Sequence, residues 1–130
     1  MEGNSSPRRE LRALVVDDQE MLRRIHERML NSVGVTNVET VENGQEAINI
    51  HRAGRSFDLI LMDLDMPIMN GIEATRGLRA MGIRSKIAGV SARSEEARLE
   101  EFMKAGIDLF LHKPLTSPDL SSLVRSINPL

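Results

Sequence analysis

The chain of 130 residues has no cysteine, no tryptophan and no tyrosine. Without cysteine there is no disulfide framework and no thiolate metal site, a composition that fits a reducing compartment. There is no excess of positive charge either. The formal net charge of −2 argues against a nucleic-acid partner, which would leave a basic footprint. No apolar run approaches the roughly 20 residues of a membrane-spanning helix. The opening stretch MEGNSSPRRE carries no apolar signal core, so no secretory leader is expected. Only three aromatics occur, Phe57, Phe102 and Phe110. With so few, the place of Phe110 in the last apolar run asks for a reason.

What is present suits one folded unit. The length allows a single core, and residues 1–9 read as a disordered tail before a domain at 10–130. Short apolar runs stand at Leu14–Val16, more weakly at Val38–Val41, then at Leu59–Met62, Ile87–Val90 and Leu109–Leu111. They are continuous rather than alternating, as expected of strands covered on both faces of a parallel sheet. Helical spacing fills the gaps, clearest in Met21, Leu22, Ile25, Met29, Leu30 and Val33 and again in Leu120, Leu123, Val124 and Ile127. Gly34, Gly54, Gly82 and Gly106 follow helical stretches, where a left-handed cap favours glycine. Ser94 before Glu95 and Glu96, and Ser117 before Pro118, read as helix N-caps. The pattern predicts an α/β fold, (βα)5, with an open, doubly wound, parallel five-stranded sheet. Chemistry in such sheets sits beyond the carboxyl ends of the strands.

The polar residues at those ends therefore matter most. The first run is followed by Asp17 and Asp18, the third by Asp63, the fourth by Ser91 and the fifth by His112, Lys113 and Pro114. Three carboxylates in one cleft repel unless some are protonated or a cation neutralises them. Oxygen ligands suit Mg²⁺. A divalent ion and Lys113 together balance three carboxylates, leaving a site able to accept a phosphoryl group. Each residue also has an ordinary reading. Asp18 could cap the following helix, Asp63 could shape a turn, Ser91 could cap or turn, and Lys113 could be a solvated lysine. His26 and His51 lack metal-ligand spacing with each other and read as partly buried or surface residues, while His112, beside Lys113 near the cleft rim, reads as a solvated loop residue. The joint placement at the ends of different strands is what favours a site.

The motifs LVVDD, DLILMDLDMPIMNG, GVSA and FLHKP, in this order and spacing, resemble the receiver domains of two-component response regulators. The resemblance spans about residues 10–128 and implies a flavodoxin-like receiver fold. It implies that Asp63 is the phosphoacceptor in a His-to-Asp phosphorelay. Asp18 and Asp63 would bind Mg²⁺ (or Mn²⁺) directly with the backbone carbonyl of Asp65, and Asp17 largely through water. Lys113 would pair with the acyl phosphate, Ser91 would move to bond it, and Phe110 would rotate inward as the switch. Pro114 would follow a cis peptide. The stretches IHERML, INIHRAG, SFDLILMD and KAGIDLFLHKPLT, and the acid at Asp65, further resemble plant C-type regulators and the receivers of hybrid histidine kinases. That implies a stand-alone receiver with no output domain, monomeric, cytoplasmic or also nuclear, and open to a place in cytokinin signalling. Its partner would be a histidine-containing phosphotransfer protein. It would catalyse its own phosphorylation and dephosphorylation, and phosphohistidine phosphatase activity toward that partner is left open.

Two other readings stand beside this one. A phosphatase of the haloacid dehalogenase type also uses an apolar strand followed by D-x-D, but Pro67 occupies the place of its threonine or valine. A phosphorylation-independent interaction module would not require the complete set of acids, hydroxyl and lysine. Asp65, two residues after Asp63, and Arg93, two after Ser91, are expected to modulate the lifetime of the phosphoryl group, with Arg93 able to pair with Asp65. Leu22 or Ile25 is expected at the exposed margin of the first helix, as an apolar anchor for the partner.

Overall fold

The computed structural model describes residues 10–92 and 97–128. The expected tail at 1–9, the Ser94 cap and Arg93 lie outside them. Five strands alternate with five helices: β1 Arg12–Val16, α1 Glu20–Ser32, β2 Asn37–Val41, α2 Gly44–Arg52, β3 Leu59–Asp63, α3 Gly71–Ala80, β4 Lys86–Ser91, α4 Leu99–Ala105, β5 Leu109–His112 and α5 Ser117–Ile127. The strands form one sheet in the order β2-β1-β3-β4-β5, and every pairing is parallel. This is the expected doubly wound α/β fold. The weak apolar run became β2 because an edge strand is only half covered.

Within each continuous run the side chains divide by period two between the faces of the sheet. Leu14, Val16, Ile60, Met62 and Ile87 pack on one side with Ile48, Ile72, Leu78 and Phe102. Ala13, Val15, Leu59, Leu61, Ala88 and Val90 pack on the other with Leu30, Leu120 and Leu123. Helices α2, α3 and α4 thus cover one face, and α1 and α5 the other. The sandwiching is what makes β1, β3 and β4 apolar throughout and leaves polar residues only at their ends.

Helix ends differ in detail from the sequence expectation. Gly34, Gly54, Gly82 and Gly106 do take positive φ, from 84° to 121°. The cap of α5 is Thr116, not Ser117: its side chain accepts from the Asp119 N–H while Asp119 reaches back to the Thr116 N–H. Asp18 does not cap α1; the residue at that position is Gln19, and its N–H donates to Asp17 Oδ1 at 2.9 Å. Gly71 is the first residue of α3, after an Asn70–Glu73 capping box. His26 and His51 are both buried, at 4% and 6% exposure, rather than partly exposed. His112 ends β5, half-buried, with its ring 5.0 Å from that of Phe110.

One clamp holds the far edge of the sheet. The Arg79 guanidinium donates to the carbonyls of Gly106, Ile83 and Ser85 at 2.8–2.9 Å and to Asp108 Oδ2 at 3.0 Å. Asp108 Oδ2 also accepts from the Ile87 N–H at 2.8 Å. The planar fork reaches α4's end, the α3–β4 loop and β5's start at once, which an ammonium cannot do. Arg79→Met should therefore destabilise the domain by about 2–4 kcal/mol, with Arg79→Lys recovering little of it. Urea denaturation followed by circular dichroism measures both.

Candidate functional site

The register of the sheet assembles the site. Val16 pairs with Met62 and Asp63 with Val90, so Asp17 and Asp18 leave β1 beside the end of β3. Ser91 pairs with His112, and the Lys113 N–H continues the ladder to the Ser91 carbonyl at 2.9 Å. The strand order reverses direction between β1 and β3, and a crevice opens at such a switch point. Into it project Asp17 and Asp63, buried at 2% and 6% exposure, and the exposed Asp18.

The electrostatics follow from that burial. Lys113 Nζ lies 2.8 Å from Asp63 Oδ1 and 3.2 Å from Asp17 Oδ2. One carboxylate oxygen from each of Asp17, Asp18 and Asp63 falls within a sphere where all lie within 4.8 Å of one another. Burial pushes the Asp63 carboxyl up to about 6 from 3.8; the Lys113 hydrogen bond opposes this, and the charges of Asp17 and Asp18 add to it. Burial alone would lower the Lys113 pKa, but its bonds to Asp63 and Asp17 outweigh burial and raise it. His26, buried on α1, is lowered mainly by burial, with Lys113 adding to the effect and Asp17 opposing it.

A cation fits this donor set. Octahedral Mg²⁺ with oxygens at about 2.1 Å places neighbouring ligands about 3 Å apart and opposite ones about 4.2 Å apart, compatible with the observed cluster. Asp17, Asp18 and Asp63 are hard, negatively charged ligands without nitrogen or sulfur.

The other expected residues have definite places. Ser91 is the buried last residue of β4, at 3% exposure. Phe110 is half-buried in β5, its ring edge-on to the fully buried Phe102 at 6.3 Å. The Lys113–Pro114 peptide is cis. On α1, Ile25 is 43% exposed and Leu22 half-buried, while Met21, not singled out from the sequence, is 72% exposed. Ile68, in the loop after Asp63, is 81% exposed and holds φ at 72°, a conformation a β-branched residue rarely adopts.

Two arginines beside the site also escaped the sequence reading. Arg23 donates to the Asp17 carbonyl at 2.8 Å. Arg98 pairs with Asp65 at 2.7 Å. A basic residue early in α1 is at most a weak signal for the first, and nothing local signals the second.

The Response regulator receiver domain family matches residues 13–125. The chain is similar to Two-component response regulator 24 of Arabidopsis thaliana, 52% identical over 91% of this chain and 84% of that protein. It is similar to Two-component response regulator ORR41 of Oryza sativa subsp. japonica, 37% identical over 90% of this chain and 94% of that one. Among solved structures it resembles the receiver domain of a Pseudomonas aeruginosa sensor histidine kinase that has a magnesium ion coordinated in its active site cleft. There the TM-score is 0.81 at 29% identity, covering 92% of this chain and 98% of the other. The strand-end acids and lysine thus sit in a chain that belongs to the response regulator receiver domain family of two-component signalling.

Proposed function

We propose that this receiver takes a phosphoryl group from a phosphohistidine onto Asp63, in a reaction that needs Mg²⁺. The observation that carries the reading is the Lys113–Asp63 contact of 2.8 Å beside the Asp17, Asp18 and Asp63 oxygens. In the step, an Asp63 oxygen forms a bond to phosphorus as the phosphorus–nitrogen bond breaks. The electron pair returns to the imidazole, which takes a proton from solvent. Asp17, Asp18 and Asp63, with the Asp65 carbonyl, would hold the metal, and the bound ion would supply charge neutralisation. Lys113 stabilises charge on the phosphoryl oxygens, and Ser91, at the end of the neighbouring strand, bonds one of them. Phe110, against Phe102, relays the change toward α4 and β5. A phosphorylated state alters output only if its contacts differ between two conformations.

The donor is a histidine-containing phosphotransfer protein. It docks over the mouth of the cleft through Met21 and Ile25, in the first two turns of α1, with Ile68 on the β3–α3 loop. Exposed apolar side chains beside a charged site suit an interface core better than solvent. Transfer from a radiolabelled phosphotransfer protein, with label followed on both partners, tests the reading. Wild type should take the label only with Mg²⁺, and Asp63→Ala should take none. The Met21→Ala, Ile25→Ala and Ile68→Ala triple variant should still label from acetyl phosphate but bind the partner at least tenfold more weakly, about 1.4 kcal/mol. Transfer unaffected by Asp63→Ala would sink the assignment. Label retained on the receiver indicates an effector or reservoir, and prompt release as phosphate indicates a sink.

A further inference from the structure

Asp65 stands two residues beyond Asp63, at the rim of the crevice, with its side chain 60% exposed. A fourth carboxylate there opposes any phosphoryl anion that approaches. Lys113 and Arg23, the cations in contact with Asp17 or Asp63, are engaged elsewhere. Lys113 is shared by Asp63 and Asp17, and Arg23 is turned to the Asp17 carbonyl. Among the described residues, the cation paired with Asp65 is Arg98, whose guanidinium donates to Asp65 Oδ1 at 2.7 Å. Arg98 occupies the N-cap position of α4 without making a side-chain cap bond there. Its side chain spends a donor on the loop after β3 instead. A second pair, Arg76–Glu101 at 3.5 Å, also ties α4 to α3. Phe102, fully buried, seats α4 between them.

We propose that Arg98 is the positioning and charge-compensating residue for Asp65, and that it sets how readily the crevice admits a phosphoryl anion. This rests on the reading of Asp63 as acceptor. The pair is partly solvated, so it contributes little to stability. Its effect is on the field at the mouth, where a uniformly negative rim slows an anion and attracts a cation. Arg98 therefore moves two rates or affinities in opposite directions, which a merely damaged site does not do.

The test uses the full chain with acetyl phosphate as donor and Mg²⁺ as the cation. At low ionic strength Arg98→Ala should label about three- to tenfold more slowly than wild type, and the gap should narrow in about 0.5 M salt. Its Mg²⁺ affinity, read by calorimetry, should instead rise by about two- to threefold. Asp65→Asn should label at least as fast as wild type. Adding Arg98→Ala to Asp65→Asn should change nothing further, because Arg98 acts through Asp65. Equal slowing by Arg98→Ala with and without the Asp65 carboxylate would overturn the proposal, as would slower labelling joined to weaker Mg²⁺ binding. A wild type that takes no phosphoryl group would instead fail the reading of Asp63. The Mg²⁺ titrations would still decide the role of Arg98, with unchanged affinity in Arg98→Ala counting against it.

Discussion

Replacing Asp63 with Asn should abolish phosphorylation and yet make the metal-free domain more stable, by about 1–3 kcal/mol near pH 7. The cause is the carboxyl held at about 6 by burial, against 3.8 for the exposed group. The folded state holds that proton more tightly than the unfolded chain does. Its contribution to stability is therefore fully present below about pH 4 and is lost as pH rises through about 6. Near neutral pH the ionised carboxylate sits against Asp17 and Asp18 and is only partly offset by Lys113. Asparagine keeps the shape and removes the charge, while Lys113 retains Asp17 at 3.2 Å. Urea denaturation at several pH values checks the sign. The gain should shrink steadily toward pH 4. Mg²⁺ should close much of the gap by stabilising wild type more than the variant. A variant less stable than wild type at neutral pH would show that the Lys113–Asp63 pair outweighs the burial of charge.

The second large effect is expected at Gly71. A side-chain carbon built there would stand 2.2 Å from the carbonyl oxygen of Asp63 and 3.1 Å from the Leu64 Cα. Both are backbone atoms, so no rotamer change relieves the clash. The Gly71 N–H also donates to the Leu64 carbonyl at 2.8 Å, fixing α3's first turn against the end of β3. Gly71→Ala must push α3 away or displace the backbone of Asp63 itself. It should cost about 3 kcal/mol, despite the higher helix propensity of alanine. It should also slow phosphorylation by at least tenfold, because Asp63, the proposed acceptor, is carried on the displaced segment. The comparison is Gly34→Ala, where nothing lies within 4 Å and only the positive φ resists substitution. That variant should lose roughly 1 kcal/mol and phosphorylate at the wild-type rate. If Gly71→Ala folds and phosphorylates normally, the close approach does not hold Asp63 in place.

These two residues mark how far the sequence could be read. Asp63 was legible because a buried strand tolerates an acid only at its end. The apolar run before it located that end. The same logic reached Asp17, Asp18, Ser91 and Lys113. It worked because a sheet covered on both faces leaves few other places for polar groups. Gly71 was legible as a glycine but not as a contact. Its neighbour in space is the Asp63 carbonyl, and a one-dimensional pattern carries no information on interatomic approach. The stripe on α1 shows the same limit. Met21, Leu22, Ile25 and Met29 share helical spacing, yet Met21 is 72% exposed while Leu30 is fully buried. Which flank of a wide stripe meets the core depends on how the helix is rolled on the sheet. His26 and His51 were harder still, because a neutral imidazole can be buried or exposed and local spacing does not decide between them.

By itself, then, the sequence determined the alternation of strands and helices, the class of the sheet and the acids and lysine at its carboxyl edge. Hydrophobic burial at periods of two and 3.6 is a local signal and survives without coordinates. Only the tertiary structure decided which segments touch: Arg98 with Asp65, Arg79 with Gly106 and Asp108, and the Asp63 carbonyl with Gly71. Such contacts arise where distant segments are packed side by side, and their energy depends on ångström-scale distances that residue order does not encode.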